Sequence, residues 1–262
     1  AHKGSQGEVA VIGGAPGMSG ALWLAASAAL HQGAGKVYAC ALQAAPPFML
    51  DQLPEVMCRP LHELALDAPT CATVCGCGAG HAVSRVLKPV LEQAPRLVLD
   101  ADALNTLARA VRGRQAQWLG LLRSRHEHEF HTVLTPHPLE AARLLHCSSS
   151  EVQADRLGAA RALAERHQAV VVLKGSGSII AAPGQISHIN PTGNPLLATA
   201  GSGDVLAGMI GARLAQGQDA FEAACDAVYQ HGLLADQWAT QHGTTRNALT
   251  ASQLAAQAAK AK

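Results

Sequence analysis

Residues 9–42 read VAVIGGAPGMSGALWLAASAALHQGAGKVYACAL and set the pattern of the whole chain. A short apolar run at 9–12 precedes a longer stretch rich in Ala and Leu at 17–32, and a second apolar run follows at 37–42. Short apolar runs of this kind are typical of buried strands, and the stretch between them has the length of a helix. The segment therefore predicts a strand, a helix and a second strand.

The same alternation continues toward the C-terminus. Further apolar runs predict strands at 72–75, 97–99, 133–134 and 170–173, and the stretches between them predict helices at 83–93, 103–111, 139–145 and 151–167. Continuously apolar strands that alternate with helices are typical of a parallel sheet covered on both faces. We therefore predict an α/β fold with a mostly parallel central sheet.

The rhythm changes after Lys174. Residues 178–182 and 186–189, separated by Pro183-Gly184, predict a β-hairpin, and three helices are predicted at 203–216, 220–241 and 251–260. No linker, repeat or low-complexity tract divides the sequence, so we expect one domain over residues 1–262. The stretch 112–131, which contains Trp118 and three histidines, is predicted to be a mobile surface insert.

The composition excludes several classes of protein. Hydrophobic residues make up 48% of the 262 residues, and aromatic residues only 3%, which predicts an aliphatic core rather than disorder. The formal net charge is +1, with no run of like charge, so nucleic acid is not an expected partner. No apolar run approaches the ~18 residues that a membrane span needs. We expect a soluble, cytoplasmic protein.

Cysteine and histidine clusters raise the question of a metal. The seven cysteines are an odd number in a long chain, which favours reduced thiols over disulfides. The cysteine cluster lacks the C-x2-C spacing of a zinc ribbon and falls in a predicted strand, whereas the histidine cluster falls in a charged stretch. We predict no protein-held metal at either cluster, whose members are Cys71, Cys75 and Cys77, and His126, His128 and His131.

The segment 190–204, NPTGNPLLATAGSGD, is the most informative for chemistry. Small residues that lead into a helix allow backbone N–H groups to converge, and the helix N-terminus attracts anions, so the segment predicts a phosphate site. Asp204 falls in the first turn of that helix. A carboxylate there repels phosphate, but it can take the proton from an attacking hydroxyl. A simple helix cap is the alternative interpretation of Asp204.

Two common nucleotide motifs are absent from the sequence. No segment satisfies G-x4-G-K-[ST], because Gly35-Lys36 is followed by Val37. No G-x-G-x-x-G occurs either. A P-loop NTPase and an ordinary Rossmann dehydrogenase are therefore disfavoured.

Taken together, the motifs resemble one family over nearly the whole chain. The chain is similar to the ADP/ATP-dependent NAD(P)H-hydrate dehydratases, a branch of the ribokinase-like superfamily. The segments that carry the resemblance, in the family's order, are His2-Lys3-Gly4, Val11-Ile12-Gly13-Gly14, Gly33-Ala34-Gly35, Gly76-Cys77-Gly78-Ala79-Gly80, Asp100-Ala101-Asp102-Ala103-Leu104-Asn105, Leu134-Thr135-Pro136-His137-Pro138-Leu139-Glu140, Val172-Leu173-Lys174-Gly175, and Thr192-Gly193-Asn194-Pro195 through Gly201-Ser202-Gly203-Asp204.

The resemblance implies a ribokinase-like fold and a role for individual residues. Asp204 matches the family's catalytic aspartate. The residues implied to bind nucleotide are Lys174, Gly175, Ser176, Gly177, Ser178, Gly201, Ser202 and Gly203, and those implied to bind substrate are Ala21, Ala25, Gly78, Asn105, His137 and Asp204 itself. Asp100 and Asp102 resemble an acidic segment near the phosphates, although the residues alone are equally consistent with a strand end and a helix cap.

The resemblance also implies an activity. Members dehydrate the S-epimer of NAD(P)H hydrate to NAD(P)H, with ADP or ATP as phosphoryl donor and Mg2+, and ADP is the expected donor here. It further implies a homo-oligomer, a tetramer by analogy, and an epimerase domain or partner. The chain departs from the family at Cys77, where many members have Pro, and at Leu139, where many have Gly. A vitamin-precursor kinase of the same superfamily and a non-catalytic nucleotide-binding module remain as alternatives.

Overall fold

The computed structural model describes residues 6–43, 53–109, 114–242 and 249–258. The sequence motif at residues 2–4, the predicted helix end at 111 and the last two residues of the helix predicted at 251–260 lie outside these ranges. Strands in the described residues are β1 (Glu8–Gly13), β2 (Lys36–Ala41), β3 (Met57–Cys58), β4 (Cys71–Cys75), β5 (Arg96–Leu99), β6 (His131–Leu134), β7 (Val170–Leu173), β8 (Ile179–Ala181) and β9 (His188–Ile189).

Helices lie between most of these strands. They are α1 (Ser19–His31), α2 (Leu87–Gln93), α3 (Asp102–Ala108), α4 (Arg114–Glu127), α5 (Pro138–Leu145), α6 (Ser149–Ala154), α7 (Arg156–His167), α8 (Ser202–Ala215), α9 (Ala220–His242) and α10 (Ala251–Gln257). None of the helices in the described part of the chain combines the length and apolar character needed to cross a membrane.

The strands form one sheet in the order β3-β2-β1-β4-β5-β6-β7-β8-β9. The strands from β3 to β7 pair in parallel, whereas β8 and β9 pair antiparallel, as the hairpin prediction required. Buried side chains fill two clusters, one on each face of the sheet. The predicted α/β class is therefore confirmed, and the carboxyl ends of the parallel strands meet at one edge.

The predicted surface insert at 112–131 is wrong. Most of it is the helix α4, whose residues Trp118, Leu122 and Arg125 are buried and recur every three to four positions. That spacing places them on one face of a helix, whereas Gly120, Arg123 and Glu127 are exposed. Arg125 donates to the carbonyls of Leu91 at 2.8 Å and Ala94 at 2.6 Å, so α4 is fixed to the end of α2.

Two smaller predictions also differ from the structure. The helix predicted at 151–167 breaks at Asp155, whose backbone (φ −141°, ψ 75°) leaves the helical region. The Asp155 carboxylate accepts a hydrogen bond from the Gly158 N–H at 2.8 Å and so caps the new helix α7. The two-residue strand β3 was not predicted, because a run this short has no periodicity to detect.

The structure places the members of the two sequence clusters in different settings. Cys71 and Cys75 are buried in β4, and burial raises the pKa of their thiols to about 11 and about 12, so both stay protonated. The histidines differ in setting, because His126 lies in α4, His128 is exposed, and His131 opens β6. The surface insert predicted to hold all three histidines is therefore wrong for His126, which is exposed but helical, and for His131, which lies in a strand.

Helix α8 crosses the core and packs directly on α1. At Gly208 the two backbones are so close that an added Cβ would overlap the carbonyl oxygen of Ala25. Ala25 itself is fully buried. This contact fixes the axis of α8, and therefore also the position of its N-terminus at the edge of the sheet.

We expect Gly208→Ala to lower the free energy of unfolding by about 1 to 3 kcal/mol, because the new methyl group overpacks the α1–α8 contact. Gly120→Ala is the matched control, since Gly120 is also helical and has open space around its Cβ position. That substitution should be neutral or stabilising by up to about 1 kcal/mol. Urea unfolding of both variants measures the difference, and equal stabilities would contradict a close α1–α8 contact.

Candidate active site

A cleft of about 710 Å³ opens at the carboxyl ends of β5, β6 and β7. Ligands of open α/β sheets bind at this edge, because the loops after the strands converge there. The cleft brings together most of the site residues predicted from the sequence. They are His137, Lys174, Gly175, Ser176, Gly177, Ser178, Gly201, Ser202, Gly203 and Asp204.

An ion pair forms the base of this cleft. The Lys174 Nζ lies 2.7 Å from the Asp100 Oδ1, and the Thr135 hydroxyl donates to the same oxygen at 2.7 Å. Asp100 follows β5, Thr135 follows β6 and Lys174 follows β7, so three adjacent strand ends are joined. Burial alone would lower the pKa of Lys174, but the charges of Asp100 and Glu140 outweigh it and raise that pKa, so the ammonium stays charged.

The N-terminus of α8 points into the same cleft. Gly201 precedes the helix with φ +91°, and no side chain caps the helix N-terminus. The first turn of a helix leaves its N–H groups without intrahelical acceptors. The Gly203 and Asp204 N–H groups are therefore free to bind an anion, and the helix dipole favours one there.

Asp204 lies in the first turn of α8 and is partly buried. Burial and the nearby negative charge of Asp100 raise the pKa of the Asp204 carboxyl to about 6, while a hydrogen bond from the Cys77 thiol and the charge of Lys174 act in the opposite direction. A carboxylate with a pKa just below neutrality is ionised at pH 7 yet basic enough to accept a proton. The geometry is suited to a general base beside an anion site.

Gly203 leaves room for the ammonium group of Lys174. A Cβ at this position would lie 3.2 Å from the Lys174 Nζ, which is tighter than an ordinary contact. The backbone of Gly203 is not in the left-handed region, whereas Gly201 has a positive φ of +91°. The missing side chain at 203 is needed for space rather than for conformation.

The loop between β7 and β8 forms one wall of the cleft. Gly175 (φ +148°) and Gly177 (φ +62°) take backbone conformations that other residues rarely adopt. The Ser178 hydroxyl donates to the Gly175 carbonyl at 3.1 Å and closes the turn. Backbone groups of a loop with so little side chain can approach a ligand closely.

His137 and Glu140 form a capping box at the start of α5. The His137 Nδ1 accepts hydrogen bonds from the N–H groups of Leu139 at 3.1 Å and Glu140 at 3.4 Å, and the His137 N–H donates to the Glu140 carboxylate at 2.8 Å. Burial and the charge of Lys174 lower the pKa of His137, which keeps the ring neutral. Burial raises the pKa of Glu140 to about 7.

Helix α9 supplies the opposite wall of the cleft; the helix itself was predicted, but its part in the site was not. Asp236 accepts from the Gly193 N–H at 2.8 Å and from the Asn194 Nδ2 at 2.9 Å, which holds the 190–204 segment in place. The His231 Nε2 lies 3.0 Å from the Ser202 carbonyl oxygen, next to the anion site. Burial lowers the pKa of His231 to about 4, so it stays neutral. These residues lie in an ordinary helical pattern, so only the fold relates them to the site.

The remaining predicted substrate residues lie elsewhere around the site. Gly78 packs against α1, where an added Cβ would lie 2.9 Å from the Ala21 side chain, and the neighbouring Cys77 contacts Asp204. Ala25 is buried beneath α8. Asn105 does not line the cleft described above, and its Oδ1 accepts from Arg143 at 2.6 Å.

Asp102 does not cap its own helix, but its charge contributes to the raised pKa of Asp204. It is the first residue of α3, and its carboxylate accepts from the Gly80 N–H at 2.7 Å instead of capping its own helix. Asp100, by contrast, both ends its strand and lines the cleft.

Within the described ranges, one group of side chains has the spacing of a cation site. It consists of Cys77, Asp100 and Asp204, whose ligand atoms all lie within 4.8 Å of one another. A thiol is a poor ligand for a hard cation such as Mg2+, which prefers oxygen. Asp100 already pairs with Lys174, so these residues do not form a cage for a resident Mg2+ ion. They fit an ion that arrives on phosphate oxygens and meets one carboxylate.

Comparison with known proteins gives a consistent result. A family model described as NAD(P)H-hydrate dehydratase matches residues 9–257. The ADP-dependent (S)-NAD(P)H-hydrate dehydratase of Neisseria meningitidis is 45% identical over 240 residues, which cover 90% of this chain and 78% of that protein. The bifunctional NAD(P)H-hydrate repair enzyme Nnr of Coxiella burnetii is 41% identical, and this chain spans only 48% of its length.

Solved structures show the same relationship. The ADP/ATP-dependent NAD(P)H-hydrate dehydratase of Bacillus subtilis, co-crystallised with ATP and Mg2+, superposes on this chain with a TM-score of 0.81 at 30% identity. The superposition covers 100% of this chain and 90% of the Bacillus subtilis chain. The hydroxyethylthiazole kinase of Pyrococcus horikoshii has a TM-score of 0.65 at 16% identity, with 98% of this chain and 89% of that one covered, and shares the fold. The chain therefore belongs to the NAD(P)H-hydrate dehydratase family.

Proposed function

We propose that this chain catalyses the ADP-dependent dehydration of the S-epimer of NAD(P)H hydrate to NAD(P)H, with AMP and phosphate as the other products. The observation that carries the proposal is Asp204. Its carboxyl group, with a pKa raised to about 6, lies in the first turn of a helix whose N–H groups are free for phosphate. The names of the relatives above support the choice of substrate.

The nucleotide binds between the wall formed by Lys174–Ser178 and the N-terminus of α8. Its terminal phosphate meets the N–H groups of Gly203 and Asp204, and the Lys174 ammonium supplies a positive charge close to Gly203. Fixed backbone dipoles and one buried cation stabilise the charge that develops on the transferring phosphoryl group.

Asp204 then acts on the substrate hydroxyl. The carboxylate removes the proton from the hydroxyl of the hydrated nicotinamide ring, and that oxygen attacks the terminal phosphorus of ADP while the bond to AMP breaks. The phosphate ester is a better leaving group than hydroxide. Its C–O bond breaks with loss of phosphate, and a proton leaves the neighbouring ring carbon, which restores the double bond of NAD(P)H.

The substrate ring lies on the side of the cleft formed by His137 and the Gly78 loop. The His137 Nδ1 is occupied by backbone N–H groups, and the ring is neutral and half exposed. Such a ring offers a flat apolar face and no acid at neutral pH, so its role is to position the nicotinamide. The contact of Cys77 with Asp204 places the Gly78 loop next to the reacting hydroxyl.

Mg2+ enters the reaction as part of the nucleotide substrate. Bound to the phosphates, it neutralises charge during phosphoryl transfer. The second oxygen of the Asp100 carboxylate, which neither Lys174 nor Thr135 contacts in the described structure, is available to such an ion. Asp204 remains free for the proton.

The decisive experiment incubates the purified chain with the S-epimer of NADPH hydrate and either ADP or ATP. Recovery of the absorbance of the reduced nicotinamide, with AMP and phosphate formed in equal amounts from ADP, supports the proposal. A vitamin-precursor kinase of the same superfamily would instead give a stable phosphorylated product and no free phosphate. A non-catalytic module would give no turnover.

Four further features stay predictions. We propose that residues 1–262 form one domain, which agrees with the single sheet of the described residues. We also propose a homo-oligomer, a cytoplasmic location, and an epimerase activity supplied by a partner or another domain. Size-exclusion chromatography with light scattering measures the oligomeric state directly.

We expect Asp204→Asn to reduce kcat by about 10² to 10⁴, because the amide retains the shape of the side chain but cannot accept the proton. Nucleotide affinity, measured by calorimetry, should change little, since the backbone N–H groups of α8 remain. For the unmodified chain, kcat/KM should fall as the pH drops below about 6, where the carboxyl becomes protonated. A variant with near-normal kcat would contradict the assigned base.

The same substitution should stabilise the fold at neutral pH. The Asp204 carboxyl ionises near 3.8 when unfolded and near 6 when folded, so the folded state binds the extra proton between these values and stability falls as the pH rises through that window. Above pH 6 the cost of the buried charge is about 3 kcal/mol, and Asn avoids it. Urea unfolding should therefore show that the free energy of unfolding of Asp204→Asn, relative to that of the unmodified chain, rises between pH 4.5 and 7. Above pH 7 the difference between the two should stay constant.

The control for this stability measurement is Asp67→Asn, because Asp67 is exposed. Asp67→Asn removes one carboxylate from the surface and so shows what the loss of a single negative charge does to the measurement. If Asp204→Asn shows no more pH dependence than Asp67→Asn, the pKa of Asp204 is not raised in the folded state.

We expect Gly203→Ala to weaken ADP binding by about tenfold or more, which corresponds to about 1.4 kcal/mol. The added methyl group would lie 3.2 Å from the Lys174 Nζ and displace the ammonium group from the phosphate site. Alanine suits a helix better than glycine, so the thermal midpoint should not fall. Calorimetric titration with ADP, with Gly120→Ala as the control, tests this; unchanged affinity would place the phosphates elsewhere.

A further inference from the structure

The loop from Lys174 to Ser178 needs support from outside itself. Its internal hydrogen bonds join only Gly175 and Ser178, at 3.3 and 3.1 Å, and the two glycines in it add conformational freedom. A loop that binds a ligand through its backbone must hold those groups in position before the ligand arrives, because ordering them on binding reduces the affinity.

Arg156 provides that support from behind the loop. Its Nη1 donates to the Ser176 carbonyl and its Nη2 to the Leu173 carbonyl at 3.4 Å. Leu173 is the last residue of β7, and Ser176 is in the middle of the loop. One planar guanidinium group therefore connects the rigid strand to the middle of the loop. A lysine ammonium is a single point charge and lacks this fixed fork of donors.

The bare backbone of Gly175 makes room for this group. A Cβ at Gly175 would lie 2.8 Å from the Arg156 Nη2, so a side chain there would displace the guanidinium. The φ of +148° at Gly175 likewise excludes most other residues. The glycine of the loop and the arginine behind it are thus matched in shape.

The helix break at Asp155 places Arg156 at the start of α7, where its side chain reaches the loop. Asp155 ends α6 and caps α7, so Arg156 becomes the first residue of a new helix. A cation at a helix N-terminus opposes the helix dipole. The Arg156 Nε is also buried without a hydrogen-bond partner in the described structure. Both features cost stability, so the placement of this side chain is not explained by the stability of the helix that carries it.

We propose that Arg156 is a positioning residue that holds the Lys174–Ser178 loop in the shape that binds the nucleotide. It acts through the Ser176 and Leu173 carbonyl oxygens and does not itself line the cleft. The inference rests on the proposed nucleotide site, but it concerns binding and loop order and can be measured without turnover.

The first experiment measures ADP binding by calorimetry. Arg156→Ala should raise the Kd for ADP by about 10- to 100-fold, the range expected when hydrogen bonds from a charged donor are lost. Amide hydrogen exchange at residues 175–178 should become faster in the ligand-free variant, while exchange in β7 stays unchanged. Arg161→Ala is the matched control, because Arg161 lies on the same helix and also reaches over to the hairpin region through Ser187 at 3.2 Å.

The conservative variant and chemical rescue separate positioning from general structural damage. Arg156→Lys keeps the charge but loses the fork, so its Kd for ADP should stay closer to that of Arg156→Ala than to that of the unmodified chain. Millimolar methylguanidine should restore ADP binding to Arg156→Ala and leave Arg156→Lys unchanged. If Arg156→Ala does not fold, Arg156→Lys and its exchange rates carry the test.

Turnover gives an independent readout. In the dehydration assay, Arg156→Ala should raise the KM for ADP, whereas kcat at saturating ADP and the KM for the hydrate change by less than about threefold. ADP affinity and loop exchange equal to those of Arg161→Ala would overturn the role of Arg156. If the unmodified chain binds ADP but does not dehydrate the hydrate, the proposed function fails while the role of Arg156 is still decided by binding and exchange.

Discussion

The ion pair between Lys174 and Asp100 is the interaction on which the site depends. The two residues follow β7 and β5, and the ion pair therefore crosses over the end of β6, where Thr135 adds a hydrogen bond to the same carboxylate oxygen. Without the ammonium group, Asp100 and Asp204 would be two carboxylates in the same cleft with no cation between them. The charge of Lys174 acts against the rise in the pKa of Asp204, which is raised to about 6 and no further.

Much of this arrangement could be predicted from the sequence. Parallel strands carry their own signal, because buried runs such as Val170–Leu173 are continuously apolar, and the residues that follow them must meet at one edge. The Gly-rich segment before α8 and the carboxylate of Asp204 likewise predicted an anion site with a base beside it. The resemblance to a known family supplied the substrate, which the residues alone do not specify.

Other parts could not be predicted, for physical reasons. Arg125 appears in the sequence as one charge among several, and only the fold shows that its guanidinium bonds to the carbonyls at the end of α2. Asp236 and His231 reach the site from the middle of a long helix whose sequence pattern is ordinary. Polar contacts between distant segments produce no periodic pattern in the sequence, so the part these residues play in the site can be identified only from the folded structure.

Cys77 has a consequence for the chemical durability of the protein. A thiol in contact with a carboxylate of the candidate active site would ordinarily be vulnerable, since thiolates react with oxidants and alkylating reagents. Here the thiol is fully enclosed, and burial together with the charges of Asp204 and Asp100 raises its pKa well above the usual value. The reactive thiolate is therefore scarcely formed. Cys58, by contrast, is exposed in β3, four strands away from β5 in the sheet, so a reagent in solution reaches it more readily than Cys77.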